Sequence, residues 1–328
     1  MAMTELGQFD VRFTGREAST MFLEPVFFDS DLTNEFRVMS NVVNKKKMGF
    51  VQELENIVRK YTGCGFNPVG SLSIYERDIE VEKMGVALEL CWDEFEDTVF
   101  EQLLRPGVDL PNTLGTQISD ILLGRVRQAI RKDVSRLVYF GNKSSVDPNN
   151  DAIDGFWTVH YPALVTADLI PRTDTGSGTA IVAGDGFDML RAVTDQANNN
   201  LKALPSNQKK INVTGSVWQA LRNDIEDGGG GDYGLLSLIN GQETLTFRGI
   251  TVTPQWRWDE LASSVQSVTN AHYIEYTATN NKVLATDVRS PENELRSWYD
   301  DKDEKVYVKS RFKMGSNYIH PSLISVGY

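Results

Sequence analysis

Pro111–Trp157 reads PNTLGTQISDILLGRVRQAIRKDVSRLVYFGNKSSVDPNNDAIDGFW. Its apolar residues fall at Leu114, Ile118, Ile121, Leu122, Val126, Ile130, Val134, Leu137 and Val138, intervals of three and four that trace one stripe along a helix. Arg127, Arg131, Lys132 and Ser135 fall off the stripe. Asn112 or Thr113 can cap the start with a side-chain oxygen, and Gly141 can end it by taking a left-handed backbone. The spacing thus predicts one helix of about 28 residues, roughly 42 Å long, more than twice the usual length for a globular helix. A helix of that length with one apolar side needs a broad layer to lie on. The turn residues Asp147-Pro148, Asn149-Asn150 and Asp154-Gly155 then predict a loop.

The arrangement resembles the major capsid proteins of tailed phages, the Hong Kong 97-type fold. The resemblance rests on a long spine helix, a short apolar end with a Gly (Leu137-Val138-Tyr139-Phe140-Gly141-Asn142), a loop, and a Gly followed by an apolar pair (Ile153-Asp154-Gly155-Phe156-Trp157). Strands over Ile74–Leu90, then a short acidic helix expected over 93–105 (DEFEDTVFEQLLR) and the break Pro106-Gly107, precede that helix in the order the family shows. LTFRGITVTP at 245–254 resembles the family's recurring strand–Gly–strand segment, and NNKVLATD, SWYD and FKMGSNYIHPSLI resemble its closing segments.

The resemblance implies an α+β fold with an N-terminal arm (1–35), an extended-loop region with its flanking strands (36–92), a peripheral domain with the spine helix (93–155), an axial domain (156–295) and a return to the peripheral sheet (296–328). It implies self-assembly into hexamers and pentamers of an icosahedral head around double-stranded DNA, bound without sequence specificity. Portal, scaffolding and head-decoration proteins are the further implied partners. The implied localisation is the virion, after assembly in the host cytoplasm. An encapsulin-like nanocompartment shell shares the fold and is the alternative. A carbohydrate-active hydrolase using Glu94 and Glu96 is the alternative from another class.

Composition sets bounds on these readings. The chain has 328 residues, 41% hydrophobic and 24% charged, as folded soluble proteins have. A net charge of −12 argues against a protein whose main task is to grip nucleic acid, and leaves room for a container around it, where an acidic wall avoids sticking to the contents. Two cysteines, Cys64 and Cys91, predict no disulfide framework. The start has no basic-then-apolar leader pattern, and no apolar run approaches the ~20 residues that span a bilayer.

Along the rest of the chain, Phe9, Val11 and Phe13 alternate and Pro25 splits two apolar clusters. This suits either an arm lying on a neighbour or an edge strand on its own domain. The triplet Lys45-Lys46-Lys47 with Phe50 opens a Gly- and Pro-marked excursion. It reads either as a solvated loop tip or as a group pairing with acids of the next subunit. Residues 51–61 fit helical spacing slightly better than strand. A helix is predicted over Gly186–Leu204, a strand over Lys210–Val213, a helix over Ser216–Glu226 and a hairpin turning at Arg248-Gly249. His272–Tyr276 and Lys282–Thr286 read as two strands paired around Asn280-Asn281. Tyr161–Ala183 reads as loop.

For chemistry the sequence offers little. His160, His272 and His320 sit at no metal-ligand spacing. Gly184-Asp185-Gly186-Phe187 opens a helix but lacks the full phosphate-binding pattern. No catalytic residue, cofactor or metal is predicted. The candidate intersubunit contacts are Lys45, Lys46, Lys47, Phe50, Trp256 and Trp258, the tryptophans reading as core or interface packing before any sugar or base contact.

Overall fold

A computed structural model of the chain describes residues 10–14, 34–51, 74–91, 117–227, 245–287, 294–300, 302–303 and 305–328. The described strands are β1 (Asp10–Thr14), β2 (Arg37–Met39), β3 (Lys45–Val51), β4 (Ile74–Glu80), β5 (Glu82–Cys91), β6 (Arg172–Thr173), β7 (Lys209–Thr214), β8 (Leu245–Phe247), β9 (Ile250–Gln255), β10 (Ile274–Ala278), β11 (Lys282–Thr286), β12 (Glu294–Asp300), β13 (Lys305–Tyr318) and β14 (Ile324–Gly327). The described α-helices are α1 (Gln117–Phe140), α2 (Tyr161–Thr166), α3 (Asp185–Gln196), α4 (Asn199–Ala203), α5 (Gly215–Glu226) and α6 (Trp256–Gln266).

The long helix is α1, and it ends at Gly141 as expected, but not through the expected left-handed backbone: Gly141 keeps a negative φ, and what requires a glycine is the close approach of the Ile153 carbonyl, 2.3 Å from where a Cβ would stand. Its stripe is buried at Val126, Ile130, Val134 and Val138 against Met84 of β5 and Val308, Phe312 and Met314 of β13. Arg125, Arg131 and Lys132 are exposed. The expected cap at Asn112 or Thr113, Leu114, and the side chains of Ile118, Ile121 and Leu122 lie outside the described residues, as does the stretch 93–105. After α1 the chain doubles back. The Gly155 N–H donates to the Gly141 carbonyl at 2.8 Å, and a Cβ on Gly155 would meet the backbone nitrogens of Gly141 and Phe140 at 2.6 and 2.7 Å. The two glycines quoted from the sequence therefore meet because only bare backbones can approach so closely.

The layer beneath α1 is a six-stranded sheet built on β13. Strands β5, β12 and β11 all pair antiparallel with it, β1 adds to β12, and β2 runs parallel to β11. For Asp10–Thr14 the structure thus gives the edge-strand reading, on the chain's own sheet; the rest of residues 1–33 lies outside the described residues.

The second six-stranded sheet runs β6-β14-β10-β7-β9-β8. Its face of Ile211, Val213, Ile274 and Tyr276 packs on Leu190 and Val193 of α3 and Val217 and Leu221 of α5. The Arg248-Gly249 hairpin forms as predicted, with both residues at positive φ. Here four expectations need correction. Strands β10 and β11 exist but do not pair: β10 has β7 on one edge and β14 on the other, so no edge is left for β11, which joins the first sheet. The Asn281 carboxamide is taken by the backbone of His320 instead, donating to its carbonyl at 3.0 Å and accepting its N–H at 2.9 Å. The helix predicted to run to Leu204 breaks at Ala197, because the Asn198 side chain accepts the Asn200 N–H at 3.0 Å and starts α4 afresh. The predicted loop over Tyr161–Ala183 opens with helix: a π-turn at Phe156–His160 runs into α2, the Gly155 carbonyl accepting from both Val159 and His160. Finally, β14 closes into the second sheet, whereas β12 and β13 lie in the first.

Candidate functional site

Strands β3 and β4 form a two-stranded hairpin apart from both sheets. Directly opposed residues share a face, and the two faces differ in character. On one, Lys45 pairs with Glu80 and Asp78, both at 2.9 Å, and Lys47 pairs with Glu76. These hydrogen bonds hold the Lys45 and Lys47 ammoniums above the usual lysine range and the Glu80 carboxyl below its own. On the other face Met48 and Ile79 are buried against Val283 and Ala285 of β11, while Tyr75, further out, is 48% exposed. The hairpin is thus rooted on the first sheet and extends past its own core.

The lysine triplet therefore belongs to a strand rather than a loop tip. The acids that pair Lys45 and Lys47 lie on the same chain. Lys46 is exposed opposite Ile79. Phe50 sits opposite Tyr75 in the register, and its side chain lies outside the described residues. The rest of the excursion, the 51–61 segment and Cys64 included, also lies outside them from residue 52 on.

The tryptophans part company. Trp256 is 54% exposed, its ring edge-on to Trp218 at 5.4 Å. Trp258 is 1% exposed and packs edge-on to Tyr139 at 4.9 Å and Trp157 at 5.2 Å. Trp258 is corrected from a candidate contact to a core residue, because it has no surface left to offer a neighbour. Both stand in α6, a helix the sequence reading missed.

The Gly184–Phe187 helix start is already occupied. The Asp224 carboxylate accepts from Gly184 N–H at 2.6 Å and Phe187 N–H at 3.2 Å, filling the place an anion would take. Among the described residues no group of three or more His, Cys, Asp or Glu converges as metal ligands do, and no helix is long and apolar enough to cross a membrane. His272 is buried with Nδ1 at 3.1 Å from the Thr175 carbonyl, and burial holds the His160 imidazole below its usual pKa. Glu94 and Glu96 lie outside the described residues.

Sequence reasoning missed a buried charge cluster where the two sheets meet. The second sheet contributes Lys210 and Asn212 from β7 and Glu275 from β10, on the face away from α3 and α5. The first contributes Lys282, which opens β11, and Glu35, two residues before β2. Glu35 Oε2 accepts from Lys210 Nζ at 3.0 Å, Lys282 Nζ at 3.3 Å and Asn212 Nδ2 at 2.6 Å. Glu275 Oε2 accepts from Lys282 Nζ at 2.7 Å and Asn212 Nδ2 at 2.9 Å, and its other oxygen accepts the Tyr161 hydroxyl. Lys282 Nζ also lies over the rings of Phe36 and Tyr139, 4.8 and 5.1 Å from their centroids. Burial pushes the Glu35 carboxyl up, but the ammoniums of Lys282 and Lys210 and their hydrogen bonds prevail and hold it below the usual range. Burial, with Lys282 nearby, pulls Lys210 down. Burial also raises the Tyr139 and Tyr161 hydroxyls well above theirs.

Among the described residues the arrangement offers a hairpin with one exposed charged face and a charge-balanced interior cluster. No protein-family model and no curated protein matches the sequence. Solved structures do match the fold. The satellite phage P4 procapsid, which includes a size-determination protein, matches with a TM-score of 0.58 at 8% identity over 94% of this chain and 98% of that one. The capsid of Myoviridae phage XM1 matches with 0.54 at 13% identity, over 92% and 90%. The capsid of a native GTA particle matches with 0.52 at 12%, over 100% and 94%. From the spine helix to the second sheet, this chain has the Hong Kong 97-type fold of tailed-phage capsid proteins.

Proposed function

We propose that the protein is the major capsid protein of a tailed phage, assembling into the hexamers and pentamers of an icosahedral head around double-stranded DNA. The observation that carries this reading is the likeness of the whole chain, not of one motif, to phage capsid subunits. In this reading α1 and the sheet on β13 are the peripheral domain, and the second sheet with α3 and α5 is the axial domain. Residues 36–92 are the extended-loop region with its flanking strands, of which β2 and β5 join the peripheral sheet, and 1–35 are the arm, whose Asp10–Thr14 lies along that sheet's edge. The β3–β4 hairpin with Lys45, Lys46, Lys47 and Phe50 reaches a neighbouring subunit, and Trp256 packs against one. Its rooted base and half-exposed Tyr75 support that role. The work is association, not catalysis: each contact is repeated at every copy, and closed symmetry limits the shell. The net charge of −12 suits a wall that does not hold its contents by phosphate contacts. The subunit assembles in the host cytoplasm with portal, scaffolding and decoration proteins and ends in the virion.

Electron microscopy of the purified protein tests this. Closed polyhedral shells are expected, filled with DNA in infected cells. Subunits that stay unassembled at every concentration and salt tried would count against it, and shells filled with cargo protein would favour the nanocompartment.

A further inference from the structure

Two ammoniums and two carboxylates lie buried together where apolar side chains of similar size could have filled the space. Lys282 and Glu275 have fully buried side chains, and Glu35 and Lys210 are each 11% exposed. Desolvation offsets most of what such pairs gain, so the cluster is weak as a source of stability. It is strong as a source of direction. Apolar contact tolerates sliding, because it depends on area and not on angle. A charge-assisted hydrogen bond does not tolerate sliding, because moving it apart leaves a buried ion unpaired.

The cluster's position gives that property a use. Its members come in balanced number from the two sheets, lysine and glutamate on each side. It sits beside the segment Thr279–Asn281, which carries the chain from β10 in one sheet to β11 in the other. Lys210 reaches further still, donating to the main-chain carbonyls of Asn34 at 2.8 Å and Glu35 at 3.1 Å, just before β2. Rotation of one sheet against the other would break Glu35 from both Lys210 and Asn212, and Lys282 from Glu275.

We infer that the Glu35–Lys210–Glu275–Lys282 cluster is an orientation lock, which fixes the angle between the two sheets and is kept for uniform geometry rather than for stability. The lock is a property of the single subunit. Its consequence, copies identical enough to close one size of shell, rests on the capsid reading.

The test uses the full chain with Cys64→Ser and Cys91→Ser, spin-labelled at Arg125→Cys on α1 and Arg222→Cys on α5. Pulsed electron resonance on unassembled subunits reads the distance distribution between them. The starting protein should give one narrow peak. Glu275→Gln with Lys282→Met removes one pair and leaves Glu35–Lys210 balanced; Glu35→Gln with Lys210→Met does the converse. Each should keep its circular dichroism and melting temperature while the distribution broadens or splits. A peak as narrow as the starting one in either folded variant overturns the lock. Unfolding of both also overturns it, since the cluster would then serve stability. Unlabelled variants should form shells of mixed size. Wild-type protein that forms no shell would sink the capsid reading but not the lock, which the distances decide.

Discussion

Gly315 of β13 presses so closely on Glu80 that a β-carbon at 315 would overlap the Glu80 carbonyl oxygen and lie 3.2 Å from the α-carbon of Val81. The obstruction is backbone, which cannot swing aside as a side chain can. Gly315→Ala should therefore destabilise the subunit by about 1–3 kcal/mol, as overpacked sites do. Gly85 on β5 is the control, because a β-carbon there meets nothing within 4 Å. Gly85→Ala should stabilise by roughly 0.5–1 kcal/mol through the lost freedom of the unfolded chain. Urea midpoints that move the same way for both would refute the close-approach argument.

Asp224 is 5% exposed and holds the first turn of α3 from another helix. Asp224→Ala should cost about 1–2 kcal/mol, the range for a lost helix cap. Asp224→Asn, which keeps an acceptor, should cost less. Hydrogen exchange should quicken first at the start of α3. Even quickening across the whole domain would show that Asp224 is not acting as a local cap.

Acid should weaken the subunit in two windows. His160 has its folded pKa depressed below 6.5 by burial. As pH falls through 6.5 the unfolded chain takes up a proton that the folded one refuses, so stability drops until the folded pKa is reached. Glu35 has its folded pKa depressed below 4.5, so its contribution is present above 4.5 and is lost as pH falls through the folded value. Stability measured against pH should thus fall first below neutrality and again below 4.5. His160→Gln should remove only the first step. A variant profile identical to wild type would mean that His160 is not responsible.

Val51 and Ile74 are direct partners at the outer end of the β3–β4 ladder. Replacing residues 52–73 with Asn-Gly should give a two-residue turn between strands already in register. The subunit should keep its circular dichroism, since the hairpin root on Val283 and Ala285 is untouched, while sedimentation shows no shells. Full-sized shells from this variant would remove 52–73 from the assembly contacts.

The long helix, its closing glycine and the Arg248-Gly249 hairpin were legible because each is written in local spacing. The charge cluster was not. Lys210-Ile211-Asn212-Val213 and Ile274-Glu275-Tyr276 alternate polar with apolar, the pattern of a strand with one face in water. Here the polar face meets the other sheet instead, and no local signal reveals that cover. Trp256 and Trp258 show the same limit on a smaller scale. Two residues apart on a helix, they point about 200° from each other, so one is exposed and the other is core. Read as a segment following a hairpin, they looked equivalent. The pairing of β10 with β11 failed because the edges of β10 are filled by β7 and β14, which are remote in sequence.

The place of β13 at the heart of the first sheet also dictates how the chain can fold. Lys305 pairs with Cys91 and Met314 with Glu82, so the layer that covers α1 cannot form until segments from far ends of the sequence meet. Such non-local pairing slows folding, because the loop-closure entropy is lost before the contacts offset it. Through that interval Val126, Ile130, Val134 and Val138 have no β13 to lie on, and a greasy helical face is open to solvent and to other nascent chains. Refolding yield should consequently fall as protein concentration rises. On the capsid reading, where assembly gains from concentration, the two demands oppose each other, and a chaperone that shields the α1 stripe should widen the range of concentration in which both are met.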